Sequence, residues 1–93
     1  MKTFINNDII TTFNNYGRDY TYLTNNNTIT NFINGYTITT FTNDGNVTDF
    51  TNNGTITDLT NDQNITRFTN NDTITTFTNN NATITKLISN TSI

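Results

Sequence analysis

The chain lacks cysteine, histidine, tryptophan, proline and glutamate, and only four of its 93 residues are lysine or arginine. Without thiols and imidazoles, the usual nucleophiles, general bases and transition-metal ligands are missing. Seven aspartates are the only acid–base candidates, and we expect no enzymatic activity, no metal site and no cofactor. The few scattered positive charges form no basic patch, so we expect no nucleic-acid partner.

Hydrophobic residues are also scarce, at 31% against about 45–50% in ordinary globular chains. No apolar stretch is long enough to cross a bilayer, so we expect no membrane insertion. The segment after Met1 reaches Asn6 and Asn7 within a few residues, which leaves no apolar core for a signal peptide. Localisation stays open, and an extracellular filament that is exported by another route is compatible with the sequence.

The apolar residues that are present fall into two periodic series. Phenylalanine or leucine recurs every nine residues, with a spacing of ten only twice, at Phe4, Phe13, Leu23, Phe32, Phe41, Phe50, Leu59, Phe68, Phe77 and Leu87. A second series lies three residues earlier, at Met1, Ile10, Tyr20, Ile29, Ile38, Val47, Ile56, Ile65, Ile74 and Ile84, and Ile93 opens one more unit. A short fixed period indicates a stacked repeat fold, so residues 1–93 form one repeat domain.

Five of the ten repeats begin with a Thr-Ile-Thr triplet, which is typical of a short strand. The position of the Phe/Leu series in each repeat is called the phenylalanine slot. If side chains alternated strictly along the strand, the residue just before this slot would point inward with the isoleucine. That residue is charged in four repeats, at Asp49, Asp58, Arg67 and Lys86. Burying these groups unpaired would cost on the order of several kcal/mol each or more. We therefore predict a bend before the slot, which returns phenylalanine to the isoleucine side and leaves the charges outside.

Nine residues are too few for one coil. They give a perimeter of about 30 Å, so the walls of the coil would lie less than the ~10 Å apart that the side chains between two facing sheets need. Two repeats per coil solve this, and Asp49 and Arg67, eighteen residues apart, would then stack as an ion pair. The predicted fold is all-β: a single parallel β-solenoid of ten nine-residue repeats, about five coils, with uncapped ends.

Asparagine occupies the second position after nearly every phenylalanine slot, where turn residues follow it. Aligned turn asparagines form hydrogen-bonded ladders in stacked strands. The sequence predicts such a ladder at Asn34, Asn43, Asn52, Asn61, Asn70 and Asn79.

The repeat runs to both termini without the atypical polar caps that solenoids use to prevent edge pairing. This pattern favours head-to-tail self-assembly into a filament, with the chain itself as partner and no enzymatic role. The predicted assembly ends are Met1, Phe4, Ile10 and Phe13 on one side, and Ile84, Leu87 and Ile93 on the other.

Two alternatives stay open. The Thr-x-Thr triplets resemble the ice-binding motif of insect antifreeze solenoids, and the resemblance implies a flat threonine face at Thr37, Thr39, Thr55, Thr57, Thr73 and Thr75 that binds ice or another surface. The Asn/Thr-rich composition of the repeat is similar to that of repeats in bacterial surface adhesins. This resemblance implies a rod segment of an adhesin or phage fibre. The stacked turn carboxylates Asp44 and Asp62 could offer oxygen ligands to Ca²⁺, but solvated turn residues are the favoured interpretation.

Overall fold

The computed structural model describes residues 2–80 and 82–91, and in this part of the chain all regular structure is β-strand. Short Thr/Ile-rich segments form the strands because β-branched side chains fit a pleated, half-buried surface. The strands are β1 (Thr3–Asn6), β2 (Ile10–Asn15), β3 (Tyr20–Asn25), β4 (Ile29–Asn34), β5 (Thr37–Asn43), β6 (Val47–Asn52), β7 (Thr55–Asn61), β8 (Ile65–Asn70), β9 (Thr73–Asn79) and β10 (Ile84–Ser89).

The strands form two parallel five-stranded sheets, with the order β1-β3-β5-β7-β9 in one, the odd sheet, and β2-β4-β6-β8-β10 in the other, the even sheet. One coil is an odd strand, a turn, an even strand and a second turn. Residues eighteen apart lie side by side, as in the pairs Ile38 with Ile56 and Val47 with Ile65. The prediction of a parallel β-solenoid with two repeats per coil and five coils is confirmed.

The bend before the phenylalanine slot is also present. In β7, Ile56 and Leu59 are buried, whereas Thr57 and Asp58 between them are both exposed. Two consecutive outward residues break the alternation of an ideal strand. The bend therefore keeps the charged position in solvent, where Arg67 Nε and Asp49 Oδ1 approach to 3.9 Å as the predicted ion pair.

The two sheets contribute different columns to the core. In the even sheet, Phe13, Phe32, Phe50 and Phe68 stack nearly parallel, with ring centroids 4.8–5.2 Å apart, and Leu87 ends the column. In the odd sheet, phenylalanine and leucine alternate, at Phe4, Leu23, Phe41, Leu59 and Phe77. Phe41 meets the even column edge-on, an arrangement that aromatic quadrupoles favour.

The two ten-residue spacings are absorbed in turns and not in strands. In regular turns the asparagine that ends a strand contacts the backbone two residues later, as Asn25 Nδ2 does with Asn27 O at 2.7 Å. In the longer turns the contact reaches three residues, from Asn15 Nδ2 to Arg18 O and from Asn79 Nδ2 to Ala82 O, each at 2.8 Å. The strand register is therefore kept.

Two turn glycines, Gly45 and Gly54, lie so close to the backbone of the preceding coil that no side chain fits. A Cβ on Gly54 would lie 2.1 Å from Tyr36 O, whereas a Cβ on Gly17 would have no neighbour within 4 Å. We expect Gly54→Ala to lower the free energy of unfolding by about 1–3 kcal/mol, the usual cost of overpacking. Gly17→Ala, measured alongside by urea denaturation, should stay within about 0.5 kcal/mol of the parent; equal losses would contradict the close approach at Gly54.

Candidate functional site at the end coils and on the threonine face

Asparagines, all of them buried except Asn79, form a continuous ladder at each of the two corners of the solenoid. The odd corner, where odd strands end, holds Asn6, Asn25, Asn43, Asn61 and Asn79; the even corner, where even strands end, holds Asn15, Asn34, Asn52 and Asn70, with Ser89 in the fifth coil. Side-chain amides of adjacent coils are joined at 2.8–3.0 Å. The predicted ladder is confirmed, and it is divided between two corners.

These inner ladders have a direction. The Nδ2 group of each asparagine donates to the Oδ1 atom in the next coil toward the C-terminus, as from Asn25 to Asn43 and from Asn43 to Asn61. The local turn sets this orientation, because Asn34 Oδ1 accepts the N–H of Tyr36 while its Nδ2 donates to Tyr36 O. The inner amides that contact their own turn in this way are thereby fixed in one orientation.

A second, outer set of amides runs in the opposite direction. At the even corner Asn71 Nδ2 donates back to Asn53 Oδ1 at 2.8 Å. At the odd corner Asn26 Nδ2 donates back to Asn7 Oδ1 at 2.8 Å, and Asn80 Nδ2 donates back to Asp62 Oδ1 at 2.6 Å. Each coil therefore presents donors and acceptors at defined places on both of its edges.

The first coil leaves the outer edges of β1 and β2 without a neighbouring strand in the described chain. Three of the predicted end residues, Phe4, Ile10 and Phe13, lie here and pack only partly against the core. Met1, the fourth, lies outside the described residues. Apolar side chains of the core series are thus partly open to solvent at this end.

The fifth coil is open in the same way along β9 and β10. Of the predicted end residues, Ile84 is half-buried and Leu87 is 55% exposed, and Ile93 lies outside the described residues. The structure adds Phe77, which is half-buried on β9. Sequence reasoning placed this end on one strand only. Two repeats per coil, already indicated by the eighteen-residue pairs, could have pointed to both strands.

The six threonines of the predicted face lie on β5, β7 and β9, which are adjacent in the odd sheet. Thr37, Thr55 and Thr73 are in register. Thr39, Thr57 and Thr75, which directly follow the buried isoleucines in the chain, are exposed. The structure therefore brings all six onto one outer surface, as two columns along the solenoid axis.

The pKa of Asp44 is raised above its ordinary value of 3.8, first by its side-chain hydrogen bond with Asp62, then by burial and by repulsion from the Asp62 charge. A raised pKa means that the folded chain binds this proton more tightly than the unfolded chain does. The resulting stability is present below pH 3.8 and is lost as pH rises through the higher folded value. At neutral pH the two stacked carboxylates therefore oppose folding.

We expect Asp44→Asn to stabilise the chain at neutral pH by no more than about 0.5 kcal/mol, because the carboxylate is exposed and screened. It should also flatten the fall in stability as pH rises from about 3 to 6. Asp58→Asn is the matched control, since Asp58 stacks between Thr40 and Thr76. Urea denaturation across this pH range measures both variants; identical profiles would contradict the coupling.

Within residues 2–80 and 82–91 there is no pocket, no group of three or more candidate metal ligands, and no helix able to span a membrane. No protein-family model matches the chain, and comparison with curated proteins and with solved structures gave no significant match to either. The end coils and the threonine face are thus the surfaces on which a function can be argued.

Proposed function

We propose that the chain is a non-enzymatic structural subunit that assembles head to tail into a β-solenoid filament. The observation that carries this proposal is the pair of complementary end coils, each with two strand edges that lack a neighbour in the described chain. Unpaired parallel edges are templates for further strands. Because odd and even strands belong to different sheets, both edges of an end coil gain a parallel partner when β1 of one copy stacks on β9 of another and β2 stacks on β10.

The core columns support the same arrangement. The first and third coils carry phenylalanine on both sheets, whereas the second and fourth carry one leucine each. With five coils, this alternation would bring two all-phenylalanine coils together at a junction. Leu87 in the fifth coil avoids that contact, since Phe77 and Leu87 would face Phe4 and Phe13 of the next copy.

Electron microscopy of the 93-residue chain at neutral pH tests the proposal, and we expect uniform filaments with an axial repeat of about 4.8 Å. Leu87→Lys should abolish them, because position 87 is 55% exposed in the single chain but would be buried beneath Phe13 of the next copy. Thr85→Lys, exposed on the same strand, adds the same charge outside the junction and should permit elongation. Dispersed short rods from the parent chain would refute the proposal.

Ice binding is the second candidate, favoured by the in-register threonine columns on the odd sheet. On this hypothesis Thr57→Lys should remove most of the thermal hysteresis, since one long charged side chain interrupts the flat face. Thr66→Lys, exposed at the equivalent position of β8 in the even sheet, should leave it unchanged. No hysteresis in the parent chain would exclude this function.

A rod segment of an adhesin or phage fibre is a third candidate, supported by the repeat architecture alone. It predicts anchor or receptor-binding domains next to this sequence in the gene that encodes it. Sequencing of the flanking coding region decides between a free subunit and a segment of a longer rod.

A further inference from the structure

The two corners differ at the ends of the solenoid. Within the solenoid, an inner asparagine such as Asn25 donates both to its own turn and to the asparagine of the next coil. Asn79 donates to Ala82 O and has no further acceptor among the described residues. Asn79 Nδ2 therefore keeps a second N–H that can donate to an acceptor beyond the last coil at the odd corner.

The acceptor for that amide is present at the other end of the chain. Asn6 Oδ1 accepts only the N–H of Asp8, at 3.2 Å, within the described residues. Its counterpart in the second coil, Asn25 Oδ1, accepts the N–H of Asn27 and also the Nδ2 of Asn6. Stacking β1 on β9 would give Asn6 the same second donor, from Asn79 of the preceding copy.

The outer amides of the odd corner complement one another in the opposite direction. Asn80 uses its Nδ2 toward Asp62, and Asn7 uses its Oδ1 toward Asn26. The atoms left over are the Asn80 Oδ1 acceptor and the Asn7 Nδ2 donor, neither of which has a partner among residues 2–80 and 82–91. These two atoms are a donor–acceptor pair for adjacent copies.

The even corner has no such complement. Ser89 stands where the fifth inner asparagine would be, and its hydroxyl donates to Thr91 O. Thr91 Oγ1 accepts the Nδ2 of Asn70, at 3.1 Å, and so ends this ladder inside the chain. At the opposite end Tyr16, which is 85% exposed, follows Asn15 in the outer position. Neither the inner nor the outer ladder can continue at this corner.

We propose that the odd corner is the recognition site between copies of this chain, and that two reciprocal amide hydrogen bonds specify it: Asn79 to Asn6 and Asn7 to Asn80. This inference rests on the proposed filament. The even corner contributes strand pairing and apolar contact without side-chain amide bonds. The two bonds fix which end meets which, so the filament is polar and both its sheets are continuous.

The test compares Asn79→Asp with Asn90→Asp. Both residues are exposed in the fifth coil, and each substitution removes one donor, to Ala82 O or to Asn71 Oδ1, and adds one negative charge. The inner acceptor for Asn61 is kept in Asn79→Asp. We expect the critical concentration, measured by sedimentation, to rise at least about tenfold for Asn79→Asp, since a buried acceptor loses its donor and faces a charge. Asn90→Asp should change it by less than about threefold.

Lowering the pH adds a second readout. Below about pH 4 an aspartic acid at position 79 is protonated, so its O–H can donate to Asn6 Oδ1. The ratio of its critical concentration to that of the parent at the same pH should then return toward one. Parent filaments with equal effects of the two variants, or no recovery in acid, would overturn the recognition site alone. Failure of the parent chain to assemble would overturn the filament and the recognition site together.

Discussion

Asn52→Ala is expected to remove a large part of the free energy of unfolding of the chain. Asn52 is fully buried. Its Nδ2 donates to Gly54 O and Asn70 Oδ1, and its Oδ1 accepts from Asn34 Nδ2 and from the N–H of Gly54. Each orphaned buried partner costs about 1–3 kcal/mol. Together the losses reach on the order of 4 kcal/mol or more, a large part of the 5–15 kcal/mol typical of a domain.

Urea denaturation followed by circular dichroism measures this loss. Asn53→Ala is the control, because Asn53 is exposed and accepts one outer hydrogen bond from Asn71. It should cost less than about 1 kcal/mol. Comparable losses in the two variants would mean that burial of the inner amides contributes little to stability.

Phe50→Ala is expected to lower the free energy of unfolding by about 3–5 kcal/mol, as for other fully buried phenylalanines. The ring stacks on Phe32 and Phe68, each with centroids 4.8 Å away, and meets Phe41 edge-on at 5.3 Å. Alanine would leave a cavity in the middle of the even column.

Phe41→Leu in the odd column provides the comparison. Leu23 and Leu59 already occupy this column in the coils on either side, so the backbone accommodates leucine there. We expect a loss of less than about 1.5 kcal/mol, typical of a hydrophobic swap of similar volume. A Phe41→Leu loss as large as that of Phe50→Ala would contradict the expected tolerance of the odd column for leucine.

Much of the fold could be predicted from the sequence because each structural rule leaves a periodic trace. The charged residues before the phenylalanine slot required a bend, which Thr57 and Asp58 show. The eighteen-residue separation of Asp49 and Arg67 gave the coil size, and these two side chains approach each other as expected.

The differences between the two corners could not be predicted, because all ten repeats follow nearly one consensus. Asn43 and Asn52 occupy the same repeat position but lie in different ladders. The direction of each ladder depends on how the turn backbone orients both atoms of the amide, as at Asn34, and the spacing of residue types does not show this orientation. The stacked even column and the alternating odd column, by contrast, follow from the sequence once two repeats are assigned to each coil, because Leu23 and Leu59 both fall on odd strands.

The ten-residue turns have a consequence for engineering. At Asn15 and at Asn79 the side-chain bond to the turn backbone spans three residues instead of two, and the strands on either side keep their register. At these two positions a longer turn thus leaves the stacking of the coils unchanged, and each further residue adds only a slowly growing loop-closure cost. A short peptide grafted into the turn after Asn15, at the even corner, should therefore be displayed once per copy on the solenoid surface, on a scaffold whose interior it does not touch.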